Sequence, residues 1–340
     1  MSSSVKISVI VPVYNVRAFL PDCLRSLAGQ TFKETEVLLV DDGSTDGSAE
    51  ELSSFAKQYP QARVLTQPNQ GVAAARKTAL AHAQAQTICF VDADDILDAC
   101  YLQELWDVYC QTKAPVVVAR MVRFPAEKQP PMADFFHAGT LRGANRVRVF
   151  EDFSAAMALC GKLIKRSYVT EIDFPTARTG DDILPSVSLL SASDPIALAP
   201  KAVYLYRERP GSQSRGGSGR FEGLLNGFTQ ARKVLKQQGT YNDFAPGFEY
   251  VCRVCLTSFM EKYGLTAAEE KALKAVAGQT RVAPSLFKNR SWRFRLRQRL
   301  LNSCLSFGIS YATCWRLVRR FYGNGCCLLK SLKNQAKSLL

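Results

Sequence analysis

Four short runs rich in β-branched residues, 5–13, 36–40, 62–66 and 87–92, alternate with stretches of helical periodicity at 17–29, 47–58 and 72–85. This alternation constrains the fold more than any other feature. Strand and helix in regular succession, with short connections, build a parallel sheet through right-handed crossovers. The first run, VKISVIVPV, has almost no polar interruption, as expected of a strand covered on both faces. Two of the strands run straight into acids: EVLLV into Asp41 and Asp42, and ICFV into Asp92, Asp94 and Asp95. Open α/β sheets bind ligands at the C-terminal ends of their strands, so these carboxylates stand where chemistry is expected. The helix from 72 carries Arg76 and Lys77 in its first turns, an arrangement that suits an anionic ligand.

The spacing Asp92-Ala93-Asp94 has a specific chemical meaning. Mg²⁺ and Mn²⁺ take oxygen ligands, and Mg²⁺ is often held by one or two carboxylates together with substrate phosphates. An isolated D-x-D equally suits a helix start, with Asp94 or Asp95 capping a helix over 96–110. Gly180-Asp181-Asp182 has the same double reading, since acids favour the N-terminus of the helix expected at 183–191. Ser44, Thr45 and Asp46 are good caps for the helix at 47–58.

Composition removes several other classes. Hydrophobic residues make up 47% and charged residues 22%, so wholesale disorder is excluded. Eleven cysteines without regular spacing, several inside apolar runs, speak against a disulfide framework and for a reducing compartment. Cys252-x-x-Cys255 lacks a second half-site, and with only His82 and His137 there is little to build histidine-based zinc or triad chemistry from. The N-terminal apolar run, broken by Pro12, is no signal peptide, and the longest uncharged stretch, 300–315, is too short to span a bilayer.

The motifs then become specific as a set. Residues 7–15 ISVIVPVYN, 30–32 QTF, 36–48 EVLLVDDGSTDGS, 69–80 NQGVAAARKTAL and 90–95 FVDADD resemble, in order, the motifs of family 2 glycosyltransferases of the GT-A fold. Further on, 161–168 GKLIKRSY, 174–182 FPTARTGDD and 203–212 VYLYRERPGS resemble that family's later segments, so the likeness spans about residues 5–215. The resemblance implies a Rossmann-like, doubly wound, mostly parallel α/β sheet. It also implies a metal-dependent, inverting transfer of sugar from a nucleoside diphosphate sugar, UDP-linked by default. Nucleotide binding falls to Pro12, Tyr14, Asp41, Asp42 and Arg76, and the Mg²⁺ or Mn²⁺ ion to Asp92 and Asp94. The general base for the acceptor hydroxyl is Asp182, with Asp181 where the family usually has Glu. Lys77 and Ala79 stand where the family usually has Asn and Gly, and Gly161 where it usually has Asn.

Two other readings remain open on sequence alone. A catalytically silent nucleotide-sugar-binding adaptor would not need Asp92, Asp94 and Asp182, all of which are present; nucleotidyl transfer would want a glycine-rich loop after the first strand, and PVYN has none.

Arg207, Arg209 and the glycine-rich 211–220 read as a mobile basic loop, or as a linker. From 220 the periodicity is helical, and the chain divides into a catalytic domain over 1–215, a helical subdomain over 220–285 and a tail over 286–340. Residues 281–340 hold thirteen Lys/Arg and no acid, so nearly all of the net charge of +14 lies there. In WRLVRRFY (315–322), Arg316, Arg319 and Arg320 share one helical face opposite Trp315, Val318, Phe321 and Tyr322. That pattern favours an anionic membrane surface over nucleic acid. The expectation is a cytoplasmic enzyme, peripheral on the cytosolic face of the cell membrane, acting on a growing surface polysaccharide or lipid-linked glycan.

Overall fold

β1 (Ile7–Val13) and β2 (Thr35–Asp41) are buried along almost their whole length, as their unbroken apolar sequence requires. They pair in parallel, and β3 (Ala62–Thr66) and β4 (Thr87–Phe90) extend the sheet, also in parallel, beside β2 and β1 respectively. The connecting helices are α1 (Leu20–Ala28), α2 (Ser48–Gln58) and α3 (Val72–His82). The order β3-β2-β1-β4 reverses direction at β1, which opens a crevice between the ends of β1 and β4. The doubly wound sheet expected from the sequence is therefore present. This computed structural model describes residues 5–124, 136–137, 139–170, 172, 174–175, 180–209 and 220–263.

Beyond β4 the sheet changes character. Its order continues β8-β6-β9-β5, with β6 (Val116–Phe124), β8 (Lys162–Lys165) and β9 (Ile196–Arg207). β8 runs antiparallel to both β4 and β6, whereas β6 and β9 are parallel. The two-residue strands β5 (Ile96–Leu97) and β7 (Thr140–Leu141) pair antiparallel with β9. The helix expected over 96–110 starts later, as α4 (Tyr101–Thr112), with Cys100 at its N-cap. Ile96 and Leu97 are taken into the sheet opposite Leu205 and Tyr204 instead, so neither Asp94 nor Asp95 caps a helix.

Gly47, at φ 91°, is the N-cap of α2, and Asp46 acts from one residue upstream by accepting from the Ser48 and Arg17 amides. A 3-10 segment (Gly143–Glu151) leads into α5 (Phe153–Met157), and α6 (Arg166–Val169) follows β8. α7 (Ile183–Ala192) begins one residue after Asp182. Arg207 is the last residue of β9 and so belongs to a strand, not to a loop, because β9 continues in register with β6 as far as Phe124.

α8 (Arg220–Gln237) and α9 (Tyr241–Tyr263) bear out the helical periodicity after 220. The chain divides into two compact units, Met1–Val251 and Cys252–Leu340. Within the first, Arg232 and Glu249 form a buried two-pronged ion pair at 2.6 Å, joined by the Tyr241 hydroxyl at 3.0 Å. Among the described residues no helix is long and apolar enough to cross a membrane. The basic stretch 290–322 and residues 210–219 lie outside the described residues.

Candidate active site

The end of β2 shapes one wall. The Asp42 amide donates to the Val13 carbonyl at 2.9 Å, and the buried Asp42 carboxylate accepts from Gln67 Nε2, the Gln70 amide and the Gly71 amide at 2.7–2.9 Å. This carboxylate fixes the entry to α3. Asp41, also buried, accepts from the Ser44 amide at 3.0 Å. Asn15, in the left-handed region at φ 49°, accepts from the Thr45 amide at 2.8 Å and ties the β1 exit to the β2 exit. Pro12 is half-buried at the end of β1, and Tyr14 just beyond it is 46% exposed.

α3 approaches the sheet closely because Ala73, Ala75 and Ala79 are buried and small. That closeness delivers Arg76, itself buried, between two separate acids. Its Nη1 donates to Asp182 Oδ1 at 2.5 Å, its Nη2 lies 3.5 Å from Asp92 Oδ1, and its guanidinium stands 5.7 Å from the Phe90 ring centroid. Burial alone would push this guanidinium down, but the carboxylates of Asp182, Asp92 and Asp181 outweigh it and hold it above its usual range. Its Nε is buried without a hydrogen-bond partner among the described residues. Lys77, paired with Arg76 in the sequence reading, is exposed. One residue along a helix rotates a side chain away from the sheet.

The three acids after β4 separate into different environments. Asp92 keeps 31% of its side chain exposed, and enclosure, opposed by Arg76 and reinforced by Asp182, Asp94 and Asp181, pushes it up to about 7. Asp94 Oδ2 accepts from Arg209 Nε at 2.6 Å, and its carbonyl accepts from Arg207 Nε at 2.8 Å. Asp95 is fully enclosed, accepting from the Tyr204 hydroxyl and the Arg207 amide, each at 2.7 Å. Burial and the neighbouring Asp92 and Asp94 raise it well above the usual carboxylate range. Arg207 also reaches Asp22 at 2.8 Å and lies over the rings of Phe19 and Phe124.

The G-D-D turn enters from the other side. Gly180, at φ 72°, makes the turn, and a Cβ there would meet the Gly223 carbonyl of α8 at 2.9 Å. Asp182 is the N-cap position of α7 but its side chain caps nothing. It faces Arg76 with Oδ1 and accepts from the Leu159 amide at 3.2 Å with Oδ2. Asp181 is pushed up to about 6 by enclosure and by Asp182, against the pull of Arg76. Gly161 also has a positive φ, 72°, which only Gly and Asn adopt readily. The exchange with the family's usual Asn is thus conservative for the backbone.

Asp92, Asp94, Arg76, Asp181 and Asp182 therefore share one cluster; Asp42 is tied to the start of the helix that carries Arg76, while Asp41 ends β2 and Tyr14 follows β1. Among the described residues, one group of three potential metal ligands lies within 4.8 Å: Asp92, Asp95 and Cys160. Asp95 is spent on Tyr204 and Arg207, and burial holds the Cys160 thiol well above its usual range, so this trio suits a hard cation poorly. Asp92 and Asp94 are less enclosed than Asp95, Asp94 with one oxygen on Arg209, and the like charge of Asp182, Asp94 and Asp181 that adds to burial in raising Asp92 is what a divalent cation would relieve. The donor set fits Mg²⁺ or Mn²⁺. The sequence puts Asp95 among the acids at the strand end but points to no role for it, and it does not point to Tyr204 or Lys162 as parts of this site; the Y-x-Y-R segment carries the signal for Tyr204.

A family model described as Glycosyl transferase family 2 matches residues 8–172. Among curated proteins, the glycosyltransferase GlyG of Streptococcus pneumoniae is 30% identical over 221 residues, 62% of this chain and 73% of GlyG. GlyA of the same organism is 31% identical over 221 residues, but the match spans only 32% of its length. The cholesterol galactosyltransferase of Borreliella burgdorferi is 24% identical over 70% of each chain. Among solved structures, S. aureus TarS 1–349 in complex with UDP-GlcNAc superposes with a TM-score of 0.65 at 22% identity, over 81% of this chain and 80% of that one. These structural neighbours share the fold.

Proposed function

Because the chain belongs to the family 2 glycosyltransferases, enzymes that transfer sugar from a nucleotide-sugar donor, we propose that it is an inverting, divalent-cation-dependent transferase using a UDP-linked sugar. The acceptor in this reading is a hydroxyl of a surface polysaccharide or lipid-linked glycan. The observation that carries it is Arg76, whose guanidinium joins Asp92, which this reading gives to the donor, to Asp182, which it gives to the acceptor.

Pro12, Tyr14, Asp41, Asp42 and Arg76 line the nucleotide side. Tyr14 offers an exposed ring for a base, while Asp42 holds the loop that starts α3. Asp92 and Asp94 would hold the cation, which would supply positive charge against the negative charge that develops on the leaving diphosphate. Arg209, bonded to Asp94, brings a further cation to the same carboxylate pair. Asp182, held by Arg76 on one oxygen, takes the proton of the attacking hydroxyl, on the face opposite the leaving group. Asp181, with its raised affinity for protons, is the second candidate for that base.

The test is turnover of a panel of UDP- and GDP-sugars with Mn²⁺ and then with chelator. Asp182→Asn is expected to lower turnover by about 10²–10⁴-fold while donor-induced thermal stabilisation persists. Parental turnover in that variant, or full activity in chelator, overturns the reading.

We assign residues 1–215 to catalysis, 220–285 to a helical subdomain and 286–340 to docking on the anionic cytosolic leaflet. The last of these rests on the charge segregation of the tail. Equal partitioning onto phosphatidylserine vesicles by the full chain and by one ending at 285 would remove it.

A further inference from the structure

Lys162 is completely buried in β8, between β4 and β6, and no step of the proposed chemistry uses it. A buried ammonium costs several kcal/mol unless its surroundings offset it, so its partners bear on why it is there. Its Nζ donates to the Ala158 carbonyl oxygen. The same oxygen accepts from Ser186 Oγ at 3.1 Å, and Ser186 lies one helical turn beyond Asp182 on α7, its own amide donating to the Asp182 carbonyl at 3.0 Å. The very next amide, that of Leu159, donates to Asp182 Oδ2 at 3.2 Å. The peptide between Ala158 and Leu159 thus has its oxygen pinned by Lys162 and Ser186 and its N–H aimed at the carboxylate. Burial pushes the Lys162 ammonium down to about 8, while Cys160, Asp182 and Asp152 favour its charge.

We infer that Lys162 is a positioning residue for the transfer reaction: by fixing the Ala158 carbonyl it aims the Leu159 amide at Asp182 Oδ2. With Arg76 on Oδ1, this sets the direction in which the carboxylate faces an acceptor hydroxyl. The inference rests on Asp182 being the base. A base displaced by about 1 Å can lose two orders of magnitude in rate, which is why a second, buried support matters.

Lys162→Met keeps the stem and removes the donor, and it leaves the Ala158 oxygen with Ser186. The hydrogen-bond partner of Lys162 is a carbonyl, so Met removes the desolvation cost of the ammonium without stranding a paired carboxylate, and the melting temperature is expected to hold or rise. With the donor that the panel turns over fastest, kcat is expected to fall roughly 10- to 100-fold at unchanged donor KM. A crystal structure of the variant is expected to lack the Leu159–Asp182 hydrogen bond. Parental kcat with that bond intact overturns the inference, as does a fall in kcat that only follows the folded fraction. Should Lys162→Met fail to fold, Ser186→Ala, which removes the other donor to the same oxygen, is expected to lower kcat in the same direction, and parental kcat there overturns the inference. Asp182→Asn at the parental rate would instead remove the base assignment, and the inference with it, whatever Lys162→Met does.

Discussion

In the half of the sheet formed by β3, β2, β1 and β4 every neighbour is parallel, and each connection is a helix patterned over a dozen residues. In the half formed by β8, β6, β9 and β5 the pairings are mixed, two residues suffice for a strand, and partners lie up to about a hundred residues apart. The first half derives its geometry from local sequence, and the second from a few long-range polar contacts. Asp95 makes this concrete. From the end of β4 it accepts from Tyr204 and from the Arg207 amide, more than a hundred residues ahead, and so ties β9 to the acids beside it. The functional cluster lies where the two halves meet, with Asp92 and Asp94 supplied by one and Asp182 by the other.

The largest expected effect tests that stitching. Asp95→Ala leaves the Arg207 amide and the Tyr204 hydroxyl short of an acceptor in a buried place, at a cost on the order of 1–3 kcal/mol for each orphaned group. Urea unfolding measures it. A loss below about 1 kcal/mol would mean that strand pairing alone holds the second half, and the contrast between the halves would weaken.

A smaller effect is expected at Gly227, where a Cβ would lie 2.8 Å from the Gly180 carbonyl and 3.3 Å from Ile183 Cβ. Alanine gains about 1 kcal/mol of helix propensity on α8, whereas overpacking costs about 1–3 kcal/mol. Gly180 has a positive φ and is itself wedged against Gly223, so the turn has little room to yield and the net sign is destabilising. The same push falls on the turn carrying Asp181 and Asp182. A thermal melt that rises in Gly227→Ala would show that the turn yields freely.

This difference also explains what could be read from sequence. β1, β2, β3 and α1–α3 announce themselves through period and capping, and acids directly after a strand need no tertiary information to be suspected. Arg76 was legible as a cation near an anionic ligand, but its grip on Asp182 was not, since 106 residues separate the two. Ile96 and Leu97 read as the start of a helix because their strand partners, Leu205 and Tyr204, are invisible to any local window. Lys162 looked like one letter of a motif; its burial depends on β4 and β6 closing over β8. Arg207 reads locally as loop because the glycine-rich run that follows hides the end of β9.

The smallest expected effect is a pH dependence located at the seam. Enclosure and like charge lift Asp92 to about 7 and Asp181 to about 6, from an ordinary value of 3.8. Between about pH 4 and 7 the folded chain therefore binds more protons at these groups than the unfolded chain does, and stability falls with rising pH. Their contribution is fully present below the unfolded value and is lost as pH rises through 6 and then 7. Solvent at the exposed part of Asp92 screens the effect and keeps the slope modest. A divalent cation competes with these protons, so Mn²⁺ is expected to raise the melting temperature more at about pH 8 than at about pH 5, with the difference diminished in Asp92→Asn. Equal Mn²⁺ shifts at both pH values would place the cation away from Asp92, and the seam would lose its role as the place where the two halves share charge.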